Sequence, residues 1–428
     1  MCSIKNPSNI LLVNYRYFIS GGSERYLFNF SEVLEKNGHT VIPFSVKHPK
    51  NVTSSYSKYF LSSLTNDENC IFFSQIRKNP KTLSRLFDRN LYSIEAKTKM
   101  KQIMEKYDIN VAYLLHFFRW ISPSIIQELS KNKIPIIVRI SDFQYICPGT
   151  YLLRRGKICE LCIKGNLWHS VKNRCVQNSY FYSFVHYIST ILYKKMNIMD
   201  KIDAFICPSL FTLEKMVQGG FPREKLFHIP TFINSKIISP DFKTGEYILY
   251  FGTVSPEKGI SVLIDAFKKL RRENSRIRTP LFIVGKLYRY ESTKFRETIY
   301  LNKTNGIKYF DEQKKGNLNK LIKNSAFVVV PSIWYDNFPN VILESFSLGK
   351  AVVGSRIGSI PELVKHGETG MLFEPGDSDD LAKKMMWMLS HSNQCEKMGE
   401  KARKLVEAQY NAELHYKRVM QVFRLFQS

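Results

Sequence analysis

The chain has 428 residues, and its 63 Lys and Arg against 37 Asp and Glu leave a formal net charge of +26. With 44% hydrophobic and 13% aromatic positions it can bury a sizeable core, which excludes a disordered basic tail. At roughly 100–200 residues per domain the length implies two domains, or three small ones.

In chain order, Ile10–Val13 reads as a buried strand, followed by a loop ending at Gly21-Gly22 and a helix whose apolar face is Leu27, Phe30 and Leu34, closed by Gly38. Val41–Val46 returns as the next strand. Unalternating apolar runs at Val111–Leu115, Ile134–Ile140 and Ala204–Cys207 fit strands buried on both faces. A second unit of the same outline begins at Ile248–Phe251, with the loop Gly252 to Gly259, a helix facing inward through Leu263, Ala266, Phe267 and Leu270, and a strand at Leu281–Gly285. Ala326–Val330 and Ala351–Val353 continue it, and Leu414–Phe426 is a final helix with no strand after it. Strands alternating with helices predict an α/β fold of two doubly wound units with parallel sheets, joined near 231–244, where Pro230, Pro240 and Gly245 punctuate a polar stretch. The default ligand site is the cleft at the C-terminal ends of the strands.

The positive surplus calls for a negative counterpart: nucleic acid, anionic lipid headgroups or a phosphorylated substrate. Basic residues are scattered in short groups such as Lys268-Lys269-Leu270-Arg271-Arg272, without a nucleic-acid motif, so no nucleic-acid partner is expected. No run of about eighteen apolar residues occurs and the first nine residues carry a single Lys; neither a spanning helix nor a signal peptide is supported, and the protein is read as cytoplasmic.

Gly21-Gly22-Ser23-Glu24-Arg25 stands between a strand and a helix, where free amides can receive phosphate oxygens; a plain tight turn explains the glycines equally well. In the second loop, Lys258 precedes a helix and can neutralise a phosphate, although a lone Lys there is more often solvated. The segment from Pro331 through Ser332, Asp336, Asn337, Phe338, Pro339 and Asn340 to Glu344 places Asp336 on the loop leaving a buried strand. Glu344 lies among apolar Ile342, Leu343 and Phe346 in the next helix. A buried carboxylate there can hold ribose hydroxyls; the plain alternative is an exposed helical Glu.

Taken together and in order, these motifs resemble the retaining family-four glycosyltransferases of GT-B fold over most of the chain. In that family the loops read GG-x-E-R and G-x-x-x-x-x-K-G, the acidic pair reads E-x7-E, and G-x-x-P-E-L-V precedes G-x-x-G. Here they are Gly22-Ser23-Glu24-Arg25, Lys258-Gly259, Asp336 with Glu344, Pro361-Glu362-Leu363-Val364 and Gly367-Glu368-Thr369-Gly370. The resemblance implies an acceptor-binding domain over 1–232, a nucleotide-sugar domain over 233–410 and a helix over 411–428 packing back on the first. It also implies a nucleoside-diphosphate sugar donor, UDP or GDP, bound by Gly21, Gly22, Gly252, Thr253, Lys258, Ser332, Asp336, Asn337, Phe338, Pro339, Asn340 and Glu344. The acceptor would be a surface-glycan saccharide or a polyprenyl-linked one, the anomeric configuration would be retained, and no cofactor would be required for catalysis.

Three departures bear on activity. Ser141 stands where many relatives have a catalytic His, Thr253 stands where an Arg is common, and Asp336 is one methylene shorter than the family's Glu. Asp142 and His116 are the candidates to replace the missing His, and a strand-end His is as often structural. A catalytically degenerate sugar-nucleotide or glycan-binding protein is therefore the competing reading.

Cys147, Cys159, Cys162 and Cys175 cluster in an insertion over 147–175. Reduced thiols with one Cys-x2-Cys pair suit a tetrahedral structural zinc site; four separate, partly buried thiols are the other reading. Tyr180–Tyr193 is aromatic around most of a helix and ends in Lys194-Lys195, which suits either a core helix or an anionic membrane surface on the inner face of the plasma membrane.

Overall fold

The computed structural model describes residues 8–63, 80–234, 239–274, 276–287 and 306–426. Part of the expected domain boundary, residues 235–238, lies outside the described residues.

The first unit runs β1 (Asn9–Val13), α1 (Gly22–Lys36), β2 (Thr40–Phe44), α2 (Pro80–Leu91), α3 (Ile94–Lys106), β3 (Val111–Leu114), α4 (Ser124–Lys131) and β4 (Ile136–Arg139). It continues through β5 (Leu153–Arg154), β6 (Lys157–Ile158), α5 (His169–Lys172), α6 (Tyr180–Lys195), β7 (Ala204–Cys207), α7 (Leu210–Gln218) and β8 (Leu226–His228). Its sheet has the order β2-β1-β3-β4-β7-β8, all parallel, while β5 and β6 form a separate antiparallel hairpin.

The second unit contains β9 (Tyr247–Phe251), α8 (Ile260–Glu273), β10 (Leu281–Val284), β11 (Ile307–Phe310), α9 (Lys315–Lys323), β12 (Ser325–Val330) and α10 (Asn340–Ser347). After it come β13 (Val352–Ser355), α11 (Ile360–Leu363), β14 (Gly370–Phe373), α12 (Ser378–Ser390), α13 (Ser392–Gln409) and α14 (Ala412–Phe426). Its parallel sheet has the order β11-β10-β9-β12-β13-β14. Each order reverses next to the unit's first strand, and that reversal opens a crevice at the strands' C-terminal ends. Both faces of each sheet are covered by helices, which is why these strands read as apolar runs rather than alternations.

The chain ends on the first unit. Tyr416, Val419, Met420, Val422 and Phe423 of α14 pack in the core formed by β1, β3 and Tyr26, Leu27, Phe30 and Leu34 of α1. At the centre, the Tyr26 hydroxyl meets Tyr113 Oη at 2.8 Å and His415 Nε2 at 2.9 Å, and His415 Nδ1 reaches the Pro230 carbonyl at 2.7 Å. The carbonyl can only accept, so Nδ1 carries the proton and Nε2 accepts from Tyr26. Burial pulls the His415 pKa down to about 3, so this imidazole is neutral at physiological pH.

Candidate functional site

The crevices of the two sheets face one another across a cavity of about 960 Å³. From the first unit, α1 points its N-terminus into it. Gly21 is the N-cap, with an extended backbone and no side chain capping the first amides. Gly22 brings α1 so close to the other domain that a Cβ would stand 2.8 Å from Asn340 Nδ2. Asn340 opens α10, whose N-terminus is also without a side-chain cap. By contrast α3, α6 and α7 are capped by Ser93, Ser179 and Ser209. Uncapped helix starts at a cavity wall are amide donors left for an anion.

Lys258 ends a short 3₁₀ turn (Pro256–Lys258), and Gly259 follows at φ 72°. A Cβ at Gly259 would come within 1.7 Å of the Pro331 carbonyl oxygen, so only glycine lets this turn lie against the loop after β12. That contact sets Lys258 Nζ 2.5 Å from Asp336 Oδ2 and 4.9 Å from the centre of the Trp334 ring. The Asp336 carbonyl is itself held by the Ser359 hydroxyl and amide, at 2.8 and 3.1 Å. An ammonium has three N–H donors, so pairing with Asp336 leaves others for a phosphate.

Glu344 stands on α10 with its carboxylate at the cavity, accepting from Arg25 Nη1 at 3.0 Å. Burial raises its pKa above the ordinary carboxylate value, and the Arg25 charge opposes that rise. Of the expected donor residues, Gly21, Gly22, Gly252, Thr253, Lys258, Ser332, Asp336, Phe338, Pro339, Asn340 and Glu344 all line the cavity. Asn337 does not; it accepts from Thr212 Oγ1 of α7 at 3.3 Å and so bridges the domains. Arg25 of the Gly22-Ser23-Glu24-Arg25 motif also lines the cavity; Arg16, Lys50 and Lys286 add cations that motif reasoning did not place, and Glu312 adds a carboxylate. The sequence signal was available for two of them: Arg16 follows β1 and Lys286 follows β10, each just beyond a strand's C-terminal end.

His116 and Asp142 lie off this lining, at the ends of β3 and β4, and the structure brings them together with Nε2 3.6 Å from Oδ2. Neither His116 nitrogen and not Ser141 Oγ makes a hydrogen bond, although all three atoms are buried. Tyr15 stacks on Trp120 at 4.5 Å and lies 6.0 Å from the His116 ring, and Tyr151 of the insertion lies 5.2 Å from Trp334. Polar groups next to aromatic faces are the usual lining of a sugar-binding surface.

Two further carboxylates, Glu362 and Glu160, hold the domains together. The Glu362 carboxylate accepts from the Leu210 and Phe211 amides at 2.8 and 2.7 Å, taking the first turn of α7 from the opposite domain. Glu160 of the insertion pairs with Lys215 at 2.7 Å and accepts from Tyr335 Oη at 2.8 Å.

The four insertion cysteines are free thiols close enough to feel one another's charge. Burial, then neighbouring thiolates, push Cys162 up to about 12 and Cys175 up to about 11. Cys147 and Cys175 both lie against Gly149, where a Cβ would stand 3.7 Å from Cys147 Sγ and 3.2 Å from Cys175 Cβ. No helix among the described residues is long and apolar enough to cross a membrane.

Residues 233–405, in the second unit, match the family model described as glycosyl transferases group 1. That match covers about two fifths of the chain. The whole architecture is GT-B. It superposes on the sucrose-phosphate synthase of Thermosynechococcus elongatus with a TM-score of 0.71 at 18% identity, covering 98% of each chain. It also superposes on Anabaena HepE in complex with UDP and glucose, with a TM-score of 0.65 at 14% identity, covering 97% of this chain and 99% of that one. In sequence, the lipopolysaccharide 1,2-N-acetylglucosaminetransferase of Salmonella typhimurium is 33% identical over 175 residues, 39% of this chain and 45% of that protein. The chain spans about half the length of that relative and of an uncharacterized glycosyltransferase from Methanocaldococcus jannaschii, 53% of which it covers at 25% identity.

Proposed function

We propose that this protein is a glycosyltransferase that moves a hexose-type sugar from a nucleoside-diphosphate sugar to a saccharide acceptor, on a surface glycan or its lipid-linked precursor, with retention of anomeric configuration. The observation that carries this reading is the convergence of Lys258, Asp336, Glu344, Arg25 and the uncapped start of α1 on one interdomain cavity. UDP is the first nucleotide to test, because UDP and glucose occupy the similarly folded Anabaena protein.

In this reading Glu344 accepts from the ribose hydroxyls, displacing Arg25, whose guanidinium then faces the diphosphate. The bond between the anomeric carbon and the phosphate oxygen breaks, and the charge left on the diphosphate is met by Lys258 and the α1 amides, fixed in place before the reaction. The acceptor hydroxyl forms the new bond on the same face, and its proton passes to the departing phosphate oxygen. His116 with Asp142 orients the acceptor, beside the ring faces of Tyr15, Tyr151 and Trp334.

The competing reading, a nucleotide-binding protein without turnover, is favoured by Ser141 in place of the family's His and by its lack of any hydrogen bond. Incubation with UDP-sugars and saccharide acceptors separates the two: a glycosylated product that disappears in Glu344→Ala supports transfer, and nucleotide binding without product supports the binder.

A further inference from the structure

The helix α6 leaves a cluster of aromatic rings uncovered at its N-terminal end. Its inward face carries Tyr182, Ser183, Ser189, Thr190 and Tyr193, with Ser183 Oγ accepting from the Val176 amide and the Ser189 and Thr190 hydroxyls donating to the His186 carbonyl. Its outward face carries Phe181 and Phe184, 51% and 45% exposed, next to Tyr180 at 59%. Trp168, 48% exposed just before α5, lies 6.4 Å from Phe184 and 5.3 Å from Tyr187 and so extends the same patch. Four aromatic rings exposed side by side, Trp168, Tyr180, Phe181 and Phe184, mark an apolar contact outside the chain.

Charge identifies that contact. Residues 151–199 hold eight Lys and Arg and a single carboxylate, Glu160. Glu160 is turned to the cleft by Lys215 and Tyr335, so nothing acidic on this segment faces the patch. Lys194 and Lys195 are exposed at the end of α6, and Arg174 lies over the Tyr180 ring at 5.2 Å.

We infer that the exposed aromatic face of α6 with Trp168, ringed by Lys194, Lys195 and Arg174, docks the protein on an anionic lipid surface. Aromatic rings settle at the level of the headgroups while the cations meet lipid phosphates, and neither half suffices alone.

The test uses the full chain with vesicles of phosphatidylglycerol and phosphatidylcholine, and with phosphatidylcholine alone. The expected result is co-sedimentation with the anionic vesicles only, weakened by salt because the Debye length contracts. Phe181→Ser/Phe184→Ser should lower the partition at least tenfold with an unchanged circular dichroism spectrum. Lys194→Gln/Lys195→Gln should lower it about fivefold per cation removed. Brominated lipid should quench emission in the wild type and not in Trp168→Phe. Binding that the aromatic variant leaves unchanged overturns the inference. So does concentration-dependent self-association abolished by the same variant, which would make the patch an interface between copies. Calorimetric binding of UDP to the same variants reads the donor site separately, so a failed donor assignment is not mistaken for a failed membrane one.

Discussion

The two walls of the cleft are built differently. On the second domain, Lys258, Asp336 and Glu344 come from short contiguous motifs, and their side chains are already paired and aimed at one cavity. On the first domain, Tyr15, His116, Asp142 and Tyr151 come from three separate loops, and the buried His116 nitrogens and Ser141 hydroxyl have no hydrogen-bond partners among the described residues. A diphosphate is the same in every donor, so a fixed set of cations and amides can be prebuilt for it. An acceptor differs from one protein to the next, and its wall is left to be completed by the ligand itself.

If that contrast is right, damage to the two walls will separate in kinetics. The largest effect is expected from Lys258→Ala, which removes the fixed cation opposite the leaving diphosphate: the transfer rate should fall by ~10²–10³ with the fold intact. A loss under fivefold in initial-rate measurements would mean that the donor wall is not prebuilt.

The core on which the last helix closes the first domain should respond to pH. His415, with a pKa of about 3 in the folded protein against an ordinary 6.5, binds its proton more readily in the unfolded chain. Stability therefore rises with pH in this window, and as pH falls from 6.5 to 5 this residue should cost ~2 kcal/mol. Denaturant titrations of wild type and His415→Gln at both values should show that difference only in the wild type; equal slopes would contradict the buried neutral imidazole.

On the acceptor wall, His116→Ala and Asp142→Asn should raise the acceptor KM about tenfold and leave UDP affinity unchanged, the split expected of a group that positions one substrate. A matching fall in UDP affinity would erase the distinction between the walls. The smallest effect is expected at Arg25→Ala, where an exposed cation both occupies Glu344 and faces the diphosphate. The two roles oppose each other, and the UDP dissociation constant should move only a few-fold.

The sequence carries the donor wall more openly than the acceptor wall for the same reason. Strands buried on both faces announced themselves as apolar runs, and the motifs around Gly22, Lys258 and Glu344 are local in sequence. Elements without such a signal were missed. β8, Leu226–His228, is only three residues long, β11, Ile307–Phe310, is a half-exposed edge strand, and β14, Gly370–Phe373, directly follows a turn. Arg16 and Lys286 are separated by the whole first domain and meet only through the fold. The cysteine spacing was legible, but whether four thiols converge is a matter of side-chain direction that spacing does not carry. The aromatic run of α6 is legible too, whereas which of its rings stay exposed required the structure, because the pattern surrounds most of the helix.

The central claim is that a nucleoside diphosphate binds the second domain through Lys258 and Glu344. Calorimetric titration of UDP into wild type, Lys258→Ala and Glu344→Ala tests it most directly. The account predicts one site per chain, weakened at least tenfold in each variant. Wild-type binding that both variants retain, or no binding of UDP, GDP, ADP or CMP by well-folded protein, would contradict it.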